Sequence, residues 1–379
     1  MKRVEGYDLI ILLMAVALTC FGVVMVYSAS SVMAAKKFND GFYFLKRQGV
    51  FALLGFGLMA FTMRIDYQQW RRIAVPLLLG CLVLLLLVFV PGVGGTAKGA
   101  SRWIRFPGFN FQPSELAKIA LIIYMAYSLD KKQEKLKSFS AGFLPYMVVL
   151  ALLIAILLMQ HDLGASLTLG VVALAMLFVA GARPRYILGM FVMAVPFIYY
   201  AILTKAYRLA RIKVFLNPWQ DPTNSGFQII QSWLAFGTGG IFGQGLGEGK
   251  QKLFYLPEAH TDFILSVVGE ELGFIGVIVI AAMFFLLVQR SIRVALQAED
   301  DFGRFLAFGI AMLLGVEGFV NMGVVTGLLP TKGLALPFIS YGGSSLIITL
   351  FSVGVLLNVS SRTCSALMPK LSESRSESG

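Results

Sequence analysis

DLIILLMAVALTCFGVVMVY, residues 8–27, is a run of twenty residues whose only charge is its first residue, Asp8. At 1.5 Å rise per residue, a helix of that length covers roughly the 30 Å of a bilayer's hydrocarbon. IAVPLLLGCLVLLLLVFV, residues 73–90, carries the same signature. Working outward from these two, spans are predicted near 8–28, 47–64, 73–90, 115–129, 143–160, 164–181, 186–203, 262–289, 305–327 and 340–360. The runs lack the period-two alternation of membrane barrel strands, so helices are the way their backbone groups are satisfied in lipid. Composition agrees. A chain that is 58% hydrophobic and 14% charged, with a mean hydropathy of +0.79, has more apolar surface than a soluble core of this size can hide.

Met1-Lys2-Arg3 and the small residues Ser28-Ala29-Ser30 raise the alternative of a cleavable signal peptide. The first apolar run is longer than a signal core, and nine further spans need a first one to orient them. The fold class expected is therefore an all-α integral membrane protein with about ten transmembrane helices.

An even number of spans puts both termini on one side. Seventeen Lys and Arg, among them Arg64, Arg71, Arg72, Lys131, Lys132, Arg183, Arg290 and Arg304, fall on that side. The short loops opposite hold eight: Lys36, Lys37, Lys46, Arg47, Lys98, Arg102, Arg105 and Lys332. The positive side is cytoplasmic, so both termini are placed there. The net charge of +12 is explained by this retention signal and by attraction to anionic lipid, and nucleic acid is not needed to account for it. Cys20, Cys81 and Cys364 are too few for a disulfide framework.

No soluble domain interrupts the spans. Residues 1–365 are read as a single polytopic membrane domain, and residues 366–379, ending KLSESRSESG, as a disordered cytoplasmic tail. The large extracytoplasmic loop, 204–261, is too long for a connection and is expected to fold partly back against the membrane surface. Within it GTGGIFGQGLGEGK, 237–250, resembles a phosphate loop only superficially. Gln244 stands where the first glycine belongs, Gln251 replaces the Ser/Thr, and no βαβ pattern surrounds the run. Its glycines predict tight turns and close backbone approach, either for loop geometry alone or to admit a ligand headgroup.

Ionisable groups in or at the mouth of a membrane domain are costly to bury and become functional candidates by default. Here they gather on the extracytoplasmic side. Asp262 opens the eighth span, Glu115 and Lys118 open the fourth, and Arg102 and Arg105 precede them. Lys332, Arg208, Arg211, His260 and the run Ser340-Tyr341-Gly342-Gly343-Ser344-Ser345 complete the set. Each also has an ordinary reading. Asp262 could cap a helix, Glu115 and Lys118 could pair at i, i+3, and Arg102 and Arg105 could snorkel to headgroups. Glu270 and Glu271 fit a structural pairing as well as a functional one, and Asp162 fits a turn. His161 and His260 are too few for a His-based metal site. Taken together, several cations around one or two carboxylates suit a lipid-anchored substrate bearing a phosphate or diphosphate. A carboxylate tuned by its neighbours could take a proton from an attacking hydroxyl, which describes glycosyl transfer with a lipid diphosphate as leaving group.

At these residues the chain closely resembles the SEDS family (shape, elongation, division, sporulation), polytopic partners of penicillin-binding proteins. The strings that carry the resemblance are GASRWIRFPGFNFQPSELAK (99–118), LPEAHTDFILSVVGEELG (256–273) and NMGVVTGLLPTKGLALPFISYGGSSL (321–346), with GARPR (181–185) and FLNPWQDP (215–222) in support. The Thr331-Lys332 pair makes the chain look like the division branch more than the elongation branch. The resemblance implies a peptidoglycan glycosyltransferase of the inner membrane that polymerises lipid II at the septum. Its partners would be a class B penicillin-binding protein, other division proteins and membrane lipid.

It further implies that Asp262 is the base for the acceptor's GlcNAc 4-hydroxyl, and that Glu115 and Lys118 are a sensitive pair near the same cavity. Arg102, Arg105 and Lys332 are candidates for diphosphate contacts. Arg208, Arg211, His260, Ser344 and Ser345 are further substrate-binding candidates. A divalent cation, Mg²⁺ or Mn²⁺, would suit the anionic leaving group, although the sequence holds no dedicated metal cage. At His161 the chain departs from the family's usual proline in a Gln-Pro-Asp-Leu-Gly string, which puts the local turn in question. Two other functions compete: a lipid II flippase, which should distribute ionisable groups through the midplane or over both faces, and a division scaffold, to which Glu317 and the long loop could contribute surface.

Overall fold

The computed structural model describes residues 6–97, 100–106, 109–203, 211, 213–223, 226–252, 256–257, 259–330 and 333–376. The chain begins with α1 (Leu9–Phe38), whose first N–H groups are capped by Asp8 through Ile10 and Ile11 and whose end is turned by Asn39 in the left-handed region. Then come α2 (Tyr43–Arg64), α3 (Gln68–Leu87), a three-stranded sheet, and α4 (Pro113–Lys132), which starts on the proline that suits a first helical position. α5 (Leu144–Met159), α6 (Leu163–Val179) and α7 (Pro184–Leu203) follow. Within the large loop lies α8 (Phe227–Gly239), and the chain finishes with α9 (Ile264–Leu296), α10 (Asp301–Val325) and α11 (Gly343–Ser376).

A helix stands at every predicted span. Among the described residues seven helical segments are long and apolar enough to cross a membrane: α1, α2, α3, residues 139–159 including α5, α9, α10 and residues 343–362 of α11. α6 is apolar but only 17 residues long. α4 and α7, of 20 residues each, occupy the other two predicted positions. α11 remains helical to Ser376, past the point where composition predicted disorder.

Two features were not expected of an all-α chain. First, the loop after α3 holds antiparallel strands β1 (Gly94–Ala97), β2 (Ala100–Phe106) and β3 (Phe109–Phe111), in the order β1-β2-β3. The aromatic and β-branched residues Trp103, Ile104, Phe106, Phe109 and Phe111 favour such a ribbon. Ile104 is its buried side. Second, α9 is broken at Gly273, where φ is 68° and ψ is −166°, a conformation open to glycine and strained for other residues.

The core runs continuously through the bundle, with Leu18, Met25, Phe302, Phe305 and Phe338 among its fully enclosed side chains. By contrast, α3 leaves Leu79, Val83 and Leu86 exposed, as expected of a helix that faces lipid.

Candidate active site

Asp262 stands two residues before α9, and its turn is fastened to the loop between α10 and α11 by a ladder of hydrogen bonds. Tyr341 N–H donates to the His260 carbonyl at 2.9 Å. Ser340 Oγ donates to Thr261 O at 2.6 Å and accepts from Leu336 N at 2.8 Å. The Asn321 amide donates to both Asp262 O (2.9 Å) and Leu334 O (2.6 Å). The half-buried carboxylate lies against Gly333: a Cβ there would sit 2.8 Å from Asp262 Oδ2. The helix's N-cap is Phe263, so Asp262 does not occupy the capping position considered for it. The His260 ring packs between Phe44 and Tyr341, with centroids 4.7 and 5.8 Å away.

Lys118 and Glu115 do pair at i, i+3, at 2.8 Å, but a third residue joins them: Lys118 Nζ also bonds Glu317 Oε1. The side chains of Lys118 and Glu317 are 3% and 5% exposed, too little for water to compensate their charge. Glu317 lies one helical turn before Asn321 on α10, and residues at i, i+4 share a helix face. One face of α10 therefore holds the Lys118 cluster and the Asp262 turn. Glu317 is a buried partner of Lys118 and contributes nothing to a docking surface.

A second group gathers around the turn between α5 and α6. Arg102 bonds the His161 carbonyl. His161 has φ 62°, a value a proline ring cannot adopt, so this turn as it stands has no room for a proline at that position. Asp162 caps α6 through Ala165 N at 3.2 Å and accepts from Ser114 Oγ at 3.2 Å and Gln112 Nε2 at 3.3 Å. Ser344 Oγ accepts from Gln112 N (3.1 Å) and donates to Asn110 O (3.0 Å), tying the start of α11 to β3 and α4. These bonds make Ser344 a structural tie, while Ser345 beside it keeps partial exposure.

Arg105 is exposed on β2, with its side chain across Gly95, and Arg211 is exposed in the large loop. Arg208 and Lys332 lie outside the described residues, although Lys332 precedes the Gly333 that touches Asp262.

Glu270 and Glu271 are fully engaged. Glu270 accepts from the Lys250 and Gln251 N–H groups, and Glu271 pairs with Lys252 at 2.6 Å. The glycine run was expected to admit a headgroup or simply to turn; its close approach is to α9 itself. Glu317, Asn321 and Lys252 were not singled out as site residues. The available signal was a polar residue interrupting an apolar helix, as Glu317 and Asn321 both do.

Among the described residues no group of three or more His, Cys, Asp or Glu comes together that could hold a metal ion. The described donors therefore do not build a protein cage for a divalent cation.

This is a polytopic helical membrane protein whose buried charges and fastened aspartate meet at one end of the bundle. The model of a cell cycle protein family that takes in FtsW, RodA and SpoVE matches residues 8–364, and the chain belongs to that family. It is 77% identical over 362 residues, covering 96% of each chain, to the probable peptidoglycan glycosyltransferase FtsW of Geobacter metallireducens. It is 46% identical to the stage V sporulation protein E of Bacillus subtilis, over 93% of this chain and 96% of that one. Among solved structures it superposes on a chain of a peptidoglycan synthase complex that coordinates polymerisation and crosslinking (TM-score 0.78, 32% identity, 94% of this chain and 98% of that one). It also superposes on the rod shape determining protein RodA of Thermus thermophilus (TM-score 0.70, 29% identity, 94% and 97%).

Proposed function

We propose that the chain is an inverting peptidoglycan glycosyltransferase that polymerises lipid II during septal wall synthesis, in the cytoplasmic membrane and beside a class B penicillin-binding protein. The observation that carries this reading is the Asp262 turn. Its backbone is fixed by Asn321 and Ser340 while its carboxylate stands half-buried at the bundle's mouth, beside the loop that carries Lys332. Family membership and the names of its relatives support the same reading.

In the reaction, Asp262 takes the proton of the acceptor's GlcNAc 4-hydroxyl as that oxygen attacks the anomeric carbon of the lipid-linked MurNAc. The bond from that carbon to the phosphate oxygen breaks, undecaprenyl diphosphate leaves with the electron pair, and the configuration inverts. Arg102, Arg105 and Lys332, with Arg208 and Arg211 of the large loop, supply cationic contacts for the diphosphate. Lys118, enclosed between Glu115 and Glu317, acts by holding those two carboxylates in place beside the Asp262 turn. A divalent cation would neutralise charge on the leaving diphosphate, and the described residues offer it no cage of their own.

The experiment is reconstitution of purified chain and transpeptidase with lipid II. Glycan strands and released undecaprenyl diphosphate are expected. Translocation of lipid II without polymerisation would replace this reading with a flippase.

A further inference from the structure

The break in α9 is filled by the large loop. α8 runs beside the first turns of α9, with Ser232 Oγ 2.7 Å from Ser266 Oγ and bonded to Val325 O at 2.6 Å. Beyond α8 the backbone pairs with the broken helix on both sides of Gly273. Gln244 N and Gly245 N donate to Glu270 O (2.9 Å) and Glu271 O (3.0 Å), while Phe274 N and Ile275 N donate to Gly240 O (2.9 Å) and Ile241 O (3.2 Å). A Cβ at Gly243 would lie 2.2 Å from Glu271 O, so this contact requires glycine. Gly273 is nine residues into α9, about 13 Å along its axis. The loop therefore packs into the break itself, and the helix's freed backbone groups and the loop's own satisfy one another. Ile241 and Phe242, at 61% and 82% exposed, turn outward at its tip, as suits lipid contact.

The return limb is fastened by charge. Lys252 Nζ donates to Glu271 Oε1 (2.6 Å), Ser28 Oγ (3.0 Å) and Gly247 O (2.7 Å), which accounts for all three of its N–H bonds. Glu271 also accepts from Ser28 Oγ at 2.7 Å and Gly247 N at 3.0 Å. Its side chain is fully buried, and that of Lys252 is 5% exposed. The pair closes residues 252–271 into a loop against α1, and Asp262 lies inside that loop.

We propose that Lys252 and Glu271, with Ser28, are positioning residues that clamp the loop's return limb into the α9 break and so fix where Asp262 presents its carboxylate. This rests on the glycosyltransferase reading above. The clamp does not touch substrate. It sets geometry, and a small misplacement of a reacting group is costly.

Two arms test it on the full-length chain. In the first, with the partner transpeptidase and lipid II, Lys252→Met should lower kcat per folded molecule about tenfold or more, with KM within about threefold of wild type. Lys252→Arg should restore most of the rate, and the double variant Lys252→Met/Glu271→Gln should lose less than the two single losses combined. A merely structural pair would reduce the yield of folded protein and leave kcat of the folded fraction at the wild-type value, which would overturn the proposal.

The second arm needs no activity. In vesicles, with Cys20, Cys81 and Cys364 replaced by serine, Phe242→Cys should resist a membrane-impermeant maleimide and become reactive when Lys252→Met is added. Labelling of Phe242→Cys with Lys252 intact would overturn the proposal, as would protection that persists without Lys252. Wild-type turnover by Asp262→Asn would instead refute the catalytic reading, and the labelling arm would still judge the clamp.

Discussion

The two ends of this bundle use charge in opposite ways. At the end assigned to the cytoplasm, Arg71 bridges Asp130 (2.9 Å) and Asp300 (3.3 Å), and Arg290 bridges Asp8 (2.9 Å). Their side chains keep 11–34% exposure, so water and headgroups share the work and each pair is worth little. Toward the other end, Lys118 sits between Glu115 and Glu317, and Lys252 between Glu271 and Ser28, with exposures of 13% or less. Desolvating such groups costs several kcal/mol per ion, and a hydrophobic replacement is often neutral or stabilising. The inner pairs stitch helix ends together. The outer clusters are costly to bury, and the Lys118 cluster shares a face of α10 with the Asn321 that holds the Asp262 turn, which fits the proposed role of geometry for chemistry.

That contrast can be broken by experiment. The largest effect is expected from Lys118→Met, which leaves two buried carboxylates facing each other. Polymerisation should fall by about a hundredfold or more, and stability by about 3–5 kcal/mol, read from turnover and from unfolding in detergent. Asn321→Ala frees the Asp262 and Leu334 carbonyls, and a loss of about 1–3 kcal/mol with a turnover loss of about tenfold is expected. Arg290→Ala at the inner end should cost about 1 kcal/mol or less, with turnover within about twofold of wild type. If Arg290→Ala silenced the protein as thoroughly as Lys118→Met, the two ends would not differ in kind.

The smallest effect tests whether charge at the outer end matters without burial. Asp40 lies there, and its hydrogen bond from Lys46 at 2.8 Å holds its carboxyl below the usual range. A depressed carboxylate contributes stability above its unfolded pKa and loses it as pH falls through the folded one. Asp40→Asn should therefore remove only an acid-side dependence and leave turnover at neutral pH unchanged, as a pH series of polymerisation and unfolding would register.

The spans were legible because hydropathy in a bilayer dominates every other local preference, and a helix stands at each predicted position. Asp262, Glu115 and Lys118 were legible as costly charges at helix mouths. The partners they require were not. Lys118 meets Glu317 from 199 residues away, a distance that periodicity does not encode. The break at Gly273 was hidden because one glycine in an apolar run reads equally as continuous helix. The glycines of 237–250 left loop geometry and a ligand headgroup both open, and their close approach is to the backbone of α9. Arg102 looked free to meet lipid or diphosphate, yet one of its N–H groups holds the His161 turn.

The central claim is that the carboxylate of Asp262 is the base for glycosyl transfer. It is tested most directly by replacing that carboxylate with an amide of the same shape and measuring lipid II turnover in the reconstituted complex. Asp262→Asn should fold, bind the transpeptidase and produce no glycan strands above background. Strand synthesis by Asp262→Asn at the wild-type rate would contradict the account.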